Sequence, residues 1–284
     1  MNSLTSRQLV AIAVGLLLFA CLFFINRKAP PIPSTDNPQS SGHAGKVKDF
    51  QEVLKESESS ISKPDKELMD RLLNVLNTSP DSLHPILLFR ISTVLDSIGQ
   101  PLAASFYMEE LAKMDKSPAI WYKAGNRYLD ISDLVETADK EALLSKAQDC
   151  FNSALKIDST NQDAKVGLGS CIVERANNPM MGIKMITEVV TRDSNNKAAQ
   201  IALGRFSIKS AQYARAVYRF NRVMDIDHSF YEGYLYLAQA YEGLGNKKEA
   251  IVNLKKYRNF APDSTIKSQI DKHISEDLKG DTIN

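Results

Sequence analysis

One phrase of small and large apolar residues recurs about every 34 residues between Pro85 and Ser264, and it narrows the possible folds more than any other feature of the chain. Its clearest copy places Tyr234, Leu237, Ala238, Tyr241, Ala250, Leu254 and Pro262 at the spacing of a helix, a tight turn and a second helix. A second copy runs from Lys197 to Phe230 through Leu203, Gly204, Ala216, Phe220 and Val223, and a third from Gln162 to Asn196 through Leu168, Gly169, Gly182, Ile186 and Val189. Another spans Pro118 to Asn161, with Trp121, Gly125 and Tyr128, then an insertion of about ten residues, then Ala147, Phe151 and Ala154. The weakest fills Pro85 to Ser117 through Leu88, Ile91, Ala104, Met108 and Leu111. Every copy but the last ends on an aspartate, at Asp115, Asp158, Asp193 and Asp227.

The spacing has a steric reason. Gly125, Gly169, Gly204 and Ala238 on the first helix let the second approach, and Ala147, Gly182, Ala216 and Ala250 return the favour. Trp121, Phe151, Phe220 and Leu254 fill what space is left, so all these residues read as core. A single hairpin of this kind cannot bury its apolar side alone, and neighbours must stack upon it.

These residues resemble the tetratricopeptide repeat, with its W-x2-L-G-x2-Y, A-x3-F and closing proline. The resemblance implies an all-α, right-handed solenoid of about five hairpins, at 85–117, 118–161, 162–196, 197–230 and 231–264. Residues 46–84 are expected to form N-terminal capping helices, one carrying Phe50, Val53 and Leu54, the next opening at Pro64, Asp65 and Glu67. Ile266, Ile270, Ile274 and Leu278 predict a C-terminal capping helix within 265–284. The insertion at 129–138 is compatible with longer helices or with a loop.

Upstream the chain changes character. After a short tail at 1–8, residues 9–25 are uncharged and apolar between Arg7 and the pair Arg27 and Lys28, which predicts a single membrane span acting as a signal anchor. Residues 26–45, rich in Pro, Ser, Gly and Asn, read as a flexible tether. The expected location is a bacterial inner membrane, with the repeats exported to the periplasmic side. Because the flanking charges nearly balance, the sidedness stays open. A lipoprotein signal at Cys21 is the alternative, though Phe19 is bulky where a small residue is usual.

Several chemistries find no support in the residues. A net charge of +1 over 284 residues gives no basic footprint for nucleic acid. His43, His84, His228 and His273 lie in separate segments, so no metal or other cofactor is expected. Gly167, Leu168 and Gly169 fall within a repeat helix, and Gly243 to Lys247 form a hairpin turn without the ending of a phosphate loop. Cys150 and Cys171 occupy core-like positions, and spacing leaves their pairing open. No catalytic set is present, and the chain reads as a non-enzyme.

What the resemblance implies instead is a groove lined by the first helices, which takes a polypeptide partner. Carried over repeat by repeat, its lining is Phe89, Thr93, Tyr122, Asn126, Val166, Ser170, Ile201, Arg205, Leu235 and Gln239. Phe89 and Tyr122 are the expected anchoring contacts. The lysines that clamp a terminal carboxylate in some relatives are replaced by Tyr122 and Val166, so that mode is not expected. The expectation is a membrane-tethered scaffold or adaptor in assembly of a membrane or envelope complex. An accessory or regulatory subunit of an enzyme, or a homo-oligomer whose groove holds its neighbour, are the alternatives.

Overall fold

A computed structural model describes residues 50–135, 138–175, 178–261 and 264–281. The expected membrane span, tether and lipoprotein cysteine lie outside the described residues, as does Pro262. Among the described residues there is no strand, and no helix is long and apolar enough to cross a membrane.

The chain forms α1 (Phe50–Ser60), α2 (Lys63–Thr78), α3 (His84–Ser97), α4 (Pro101–Asp115), α5 (Pro118–Ile131), α6 (Ala138–Ile157), α7 (Gln162–Glu174), α8 (Pro179–Arg192), α9 (Lys197–Lys209), α10 (Tyr213–Ile226), α11 (Glu232–Gly243), α12 (Lys247–Phe260) and α13 (Ser264–Asp281). Short 3-10 turns occupy Asp81–Leu83 and Ser132–Leu134. The insertion is therefore spent twice. Part of it is the turn after α5, and part lengthens α6 to 20 residues.

Local chemistry explains where these helices begin and stop. Proline opens α3, α4 and α5, where its missing N–H would have no partner in any case. The side chains of Asn161, Asn196 and Asn246 accept from the backbone N–H groups of Ala164, Ala199 and Glu249, capping α7, α9 and α12. The repeat-ending aspartates work one step earlier. Asp158 Oδ1 accepts from the Thr160 N–H at 2.9 Å, Asp193 from Asn195 at 2.9 Å and Asp227 from Ser229 at 2.9 Å, each closing a turn that hands the chain to the next helix. At Asp115 the device differs: Lys116 takes a left-handed backbone with φ 56°.

The packing divides into two compact units, with the boundary inside α8 after Met185. In the N-terminal unit α3 packs with α4, α5 with α6, and consecutive hairpins touch through α4 with α5 and α6 with α7. Ile91, Leu95, Tyr128, Leu144 and Phe151 are its fully buried centre. Phe151 shows why the small positions are small. A Cβ on Gly125 would stand 2.6 Å from the ring, and one on Gly167 would meet the same ring from α7. Trp121 is partly buried against this core. Cys150 and Cys171 are buried free thiols rather than a disulfide, and burial pushes both thiols above their ordinary range.

In the C-terminal unit α9 pairs with α10 and α11 with α12. Phe220 sits beneath Gly204, whose added Cβ would come within 2.8 Å of the ring. Ile266, Ile270 and Ile274 of α13 close the series by covering Ala238, Ile251, Leu254 and Tyr257. Two polar contacts fix α13: Arg258 donates to both Asp271 oxygens at 2.6 and 2.7 Å, and His273 Nε2 lies 2.8 Å from Glu242 Oε1.

Candidate functional site

In each unit the first helices approach one another directly, α5 with α7 and α9 with α11, and together they form an inner row. Eight of the ten groove residues expected from the repeats fall on these four helices, and Phe89 and Thr93 lie on α3; they are not equivalent.

On α3, Phe89 is 51% exposed, and Thr93, one turn further on, bonds back to the Phe89 carbonyl at 2.9 Å. Sequence reasoning missed Ile86, one turn before Phe89 on the same face and 67% exposed. Its signal was the i, i+3 spacing, which continues the stripe past the repeat positions compared. These two exposed apolar side chains, one turn apart, form an apolar ledge on α3.

Tyr122 and Asn126 on α5 are half-buried and hydrogen-bonded to each other. The Tyr122 ring lies 6.0 Å from that of Phe151 at a 44° tilt, so its position is set by the core beneath it. Burial pushes the Tyr122 phenol well above its ordinary range, outweighing the Asn126 hydrogen bond, and the charges of Asp163 and Asp130 push the same way. Tyr122 therefore stays neutral and can donate a hydrogen bond across the physiological range.

Two expected lining residues need correction. Val166 and Ser170 on α7 are 4% and 5% exposed and form part of the buried interior of their unit. The reason is steric. Gly167 and Gly169 draw α7 close to Phe151 and to α8, and Val166 and Ser170 beside them are enclosed, while Leu168 between them is partly buried.

In the C-terminal unit Ile201 and Arg205 on α9, and Leu235 and Gln239 on α11, are half-buried. Leu235 also packs against the core beneath α13. Next to this row lies Gln200, 2% exposed, at the position where the other repeats have Leu88, Trp121, Lys165 and Tyr234. Its amide is satisfied: Nε2 donates to the Ser194 carbonyl at 2.8 Å, and Arg219 Nη1 donates to its Oε1 at 2.9 Å.

A partly buried charge cluster of the N-terminal unit lies on α4, α5 and α6, away from the expected groove residues. Glu109 of α4 accepts from Tyr128 Oη at 2.8 Å and from Lys146 Nζ at 2.7 Å, with Lys113 3.1 Å away. Burial alone would raise the Glu109 carboxyl, but the Lys146 charge and these hydrogen bonds together hold it below its ordinary value. The Lys146 ammonium also lies 5.4 Å from the centre of the Phe106 ring and 5.8 Å from that of Tyr128. Three helices are pinned here, and the group has the character of a structural tie. Among the described residues no cluster of three or more His, Cys, Asp or Glu side chains is placed to hold a metal ion.

Serial helical hairpins with an inner row of partly exposed side chains define a TPR-like helical-repeat protein. Residues 191–280 match the family described as Regulator of microtubule dynamics protein 1-3, a stretch of less than half the chain that starts at the end of α8 and runs into α13. No curated protein matches the chain. Among solved structures it is similar to YrrB, described as a TPR protein with an unusual peptide-binding site, at 18% identity over 71% of this chain and 97% of that one, with a TM-score of 0.37. It is similar also to a tetratricopeptide repeat protein from Parabacteroides merdae, at 14% identity over 80% and 88%, with a TM-score of 0.46. PilW, a type IV pilus biogenesis factor, is 13% identical over 77% and 95%, with a TM-score of 0.45.

Proposed function

We propose that this protein is a non-catalytic scaffold, tethered to a membrane through residues 9–25, that holds a segment of another polypeptide along the inner row of its hairpins. The observation that carries the reading is the exposed ledge of Ile86 and Phe89 on α3 together with the hydrogen-bonded Tyr122 and Asn126 pair on α5. The ledge supplies apolar anchorage, and the pair supplies directed hydrogen bonding for a peptide backbone. Removing the rest of the Phe89 side chain from water is a gain available to a complex, because about half of it is left uncovered by the fold.

The partner class is a peptide with an apolar anchor, extended or helical, from a component of a membrane or envelope assembly. The tether, the export of the repeats and a role in assembly follow from the upstream sequence and belong to this proposal. So does the division into anchor, linker, capping helices and five repeats.

The test is site-specific photocrosslinking of the full chain in its native membranes, with the photoreactive residue at 89 or 93 and, as control, at 218 on the other row. One polypeptide captured from both 89 and 93, and lost on Ile86→Ala with Asn126→Ala, is the expected result. Equal capture from all three positions, or none from 89 and 93, refutes the reading.

A further inference from the structure

The outer row of the C-terminal unit has a charge that the whole chain conceals. α10 carries three arginines and one carboxylate, Asp225, while α12 carries five cations and one carboxylate, Glu249. Over the entire chain the net charge is only +1. They are the second helices of successive hairpins, α10 packed on α9 and α12 on α11, while α9 and α11 face each other, so the repeat puts their outward residues on one side of the unit.

Among the described residues Arg215, Lys248, Lys255 and Lys256 have no carboxylate within ion-pair distance. Arg258 is neutralised by Asp271 of α13, and Arg219 is turned to the buried Gln200. Arg215 donates to the amide oxygen of Gln212, and Arg222 to that of Asn195 at 2.5 Å, which engages one nitrogen of each guanidinium without removing the charge. Arg222 does reach Asp225, at 3.9 Å, a long and exposed pair. Lys248, Lys255 and Lys256 are exposed along α12.

Apolar groups stand among these cations. Tyr218 is 64% exposed, Val252 is 37% exposed, and they occupy the same position of successive repeats. Arg222 and Lys256 likewise share a position. In the other repeats the corresponding pairs are Phe106 with Glu110, Asp149 with Ser153 and Lys184 with Glu188, so a cation at the second of these positions belongs to α10 and α12.

We propose that this outer face docks on anionic phospholipid headgroups at a membrane surface. The cations are spread along two helix ridges, which a fluid headgroup layer can match, whereas a peptide needs a cleft that covers its backbone. Tyrosine and a branched aliphatic group between cations are the residue types that settle at the boundary of headgroup and acyl chain. The inference is independent of the inner-row groove, and it shares with the tether only the presence of a bilayer.

The experiment uses the full chain with Cys21→Ser, since Cys150 and Cys171 are buried, and an environment-sensitive fluorophore at Tyr218→Cys or, as control, at the exposed Asn77→Cys. The chain is reconstituted in vesicles of phosphatidylcholine alone or mixed with phosphatidylglycerol. Expected is a shift of the 218 probe toward a headgroup environment in the anionic vesicles only, reversed by raising salt to about 0.5 M, with the 77 probe unmoved. Arg222→Gln with Lys255→Gln lowers the docked-to-undocked ratio about 25-fold, at about fivefold per cation, with an unchanged circular dichroism spectrum.

A 218 probe that stays in water in both vesicles overturns the proposal, and so does an equal shift in neutral lipid. Shielding by polyglutamate without shielding by anionic lipid would overturn it too, and assign the face to an acidic polypeptide. Failure of the anchor is separately visible as loss of the chain from neutral vesicles. In that case the chain is added from solution: salt-reversible binding to anionic vesicles sustains the proposal, and its absence ends it.

Discussion

Two residues show how closely the backbone is specified. Ala211 takes φ 56° in the turn between α9 and α10, at the repeat position where the last hairpin has Gly245 at φ 73°. An L-residue is strained there and glycine is not, so Ala211→Gly is expected to raise stability by about 0.5–1 kcal/mol in urea unfolding, against the usual penalty for added glycine. The second residue is Gly125. Its Cβ would fall 2.6 Å from a ring that Gly167 confines from α7, so Phe151 cannot swing away from one helix without meeting the other. Gly125→Ala should therefore cost about 1–3 kcal/mol, measured in the same way. A cost near zero would show that Phe151 has room to move.

Among the elements, α4, α5 and α6 are joined by polar bonds as well as by packing. Glu109 is buried and bonded to Tyr128 and to Lys146, whose ammonium rests between two rings. Removing the carboxylate charge leaves Lys146 partly desolvated and without its counter-charge. Glu109→Gln is expected to destabilise the chain by about 2–4 kcal/mol, seen as a lower urea midpoint with an unchanged slope. A change below about 0.5 kcal/mol would mean that Lys146, 29% exposed, simply turns to water. The α13 cap is held by different means, with three isoleucines beneath and Arg258 and His273 at the rim.

For the whole molecule, the carboxylates set an acid limit to stability. Asp227 is lowered from 3.8 to about 2, chiefly by the hydrogen bond from Lys197 and then by those from Ser229. Asp158, held by Thr160, and Asp271, held by Arg258, are lowered as well, and Glu109 in spite of its burial. A carboxylate with a depressed folded value stabilises the fold above its unfolded value, and that contribution is lost as pH falls through the folded value. Asp149 is shifted upward by burial and acts in the opposite sense. The lowered groups outnumber it, so thermal stability should decline from about pH 4.5 to pH 2. Asp227→Asn should flatten the lower part of that decline, as followed by melting temperature against pH.

The helical hairpins were legible because their signal is local and repeated. Small residues such as Gly204 and Ala216 facing a large Phe220 every 34 residues or so can only be satisfied by paired helices. Turn chemistry was half legible: the recurring aspartates were visible in the chain, but their bonds to Thr160, Asn195 and Ser229 became clear only when the connections were folded. The site was less legible still. Val166 and Phe89 occupy the same repeat position, yet one is 4% exposed and the other 51%. Repeat register assigns both to the same face of a helix, because facing is a property of the helix itself. Tertiary packing then decided which was covered, because α7 is drawn against Phe151 and α8 at Gly167 and Gly169 and encloses Val166, while Phe89 on α3 keeps about half its surface in water.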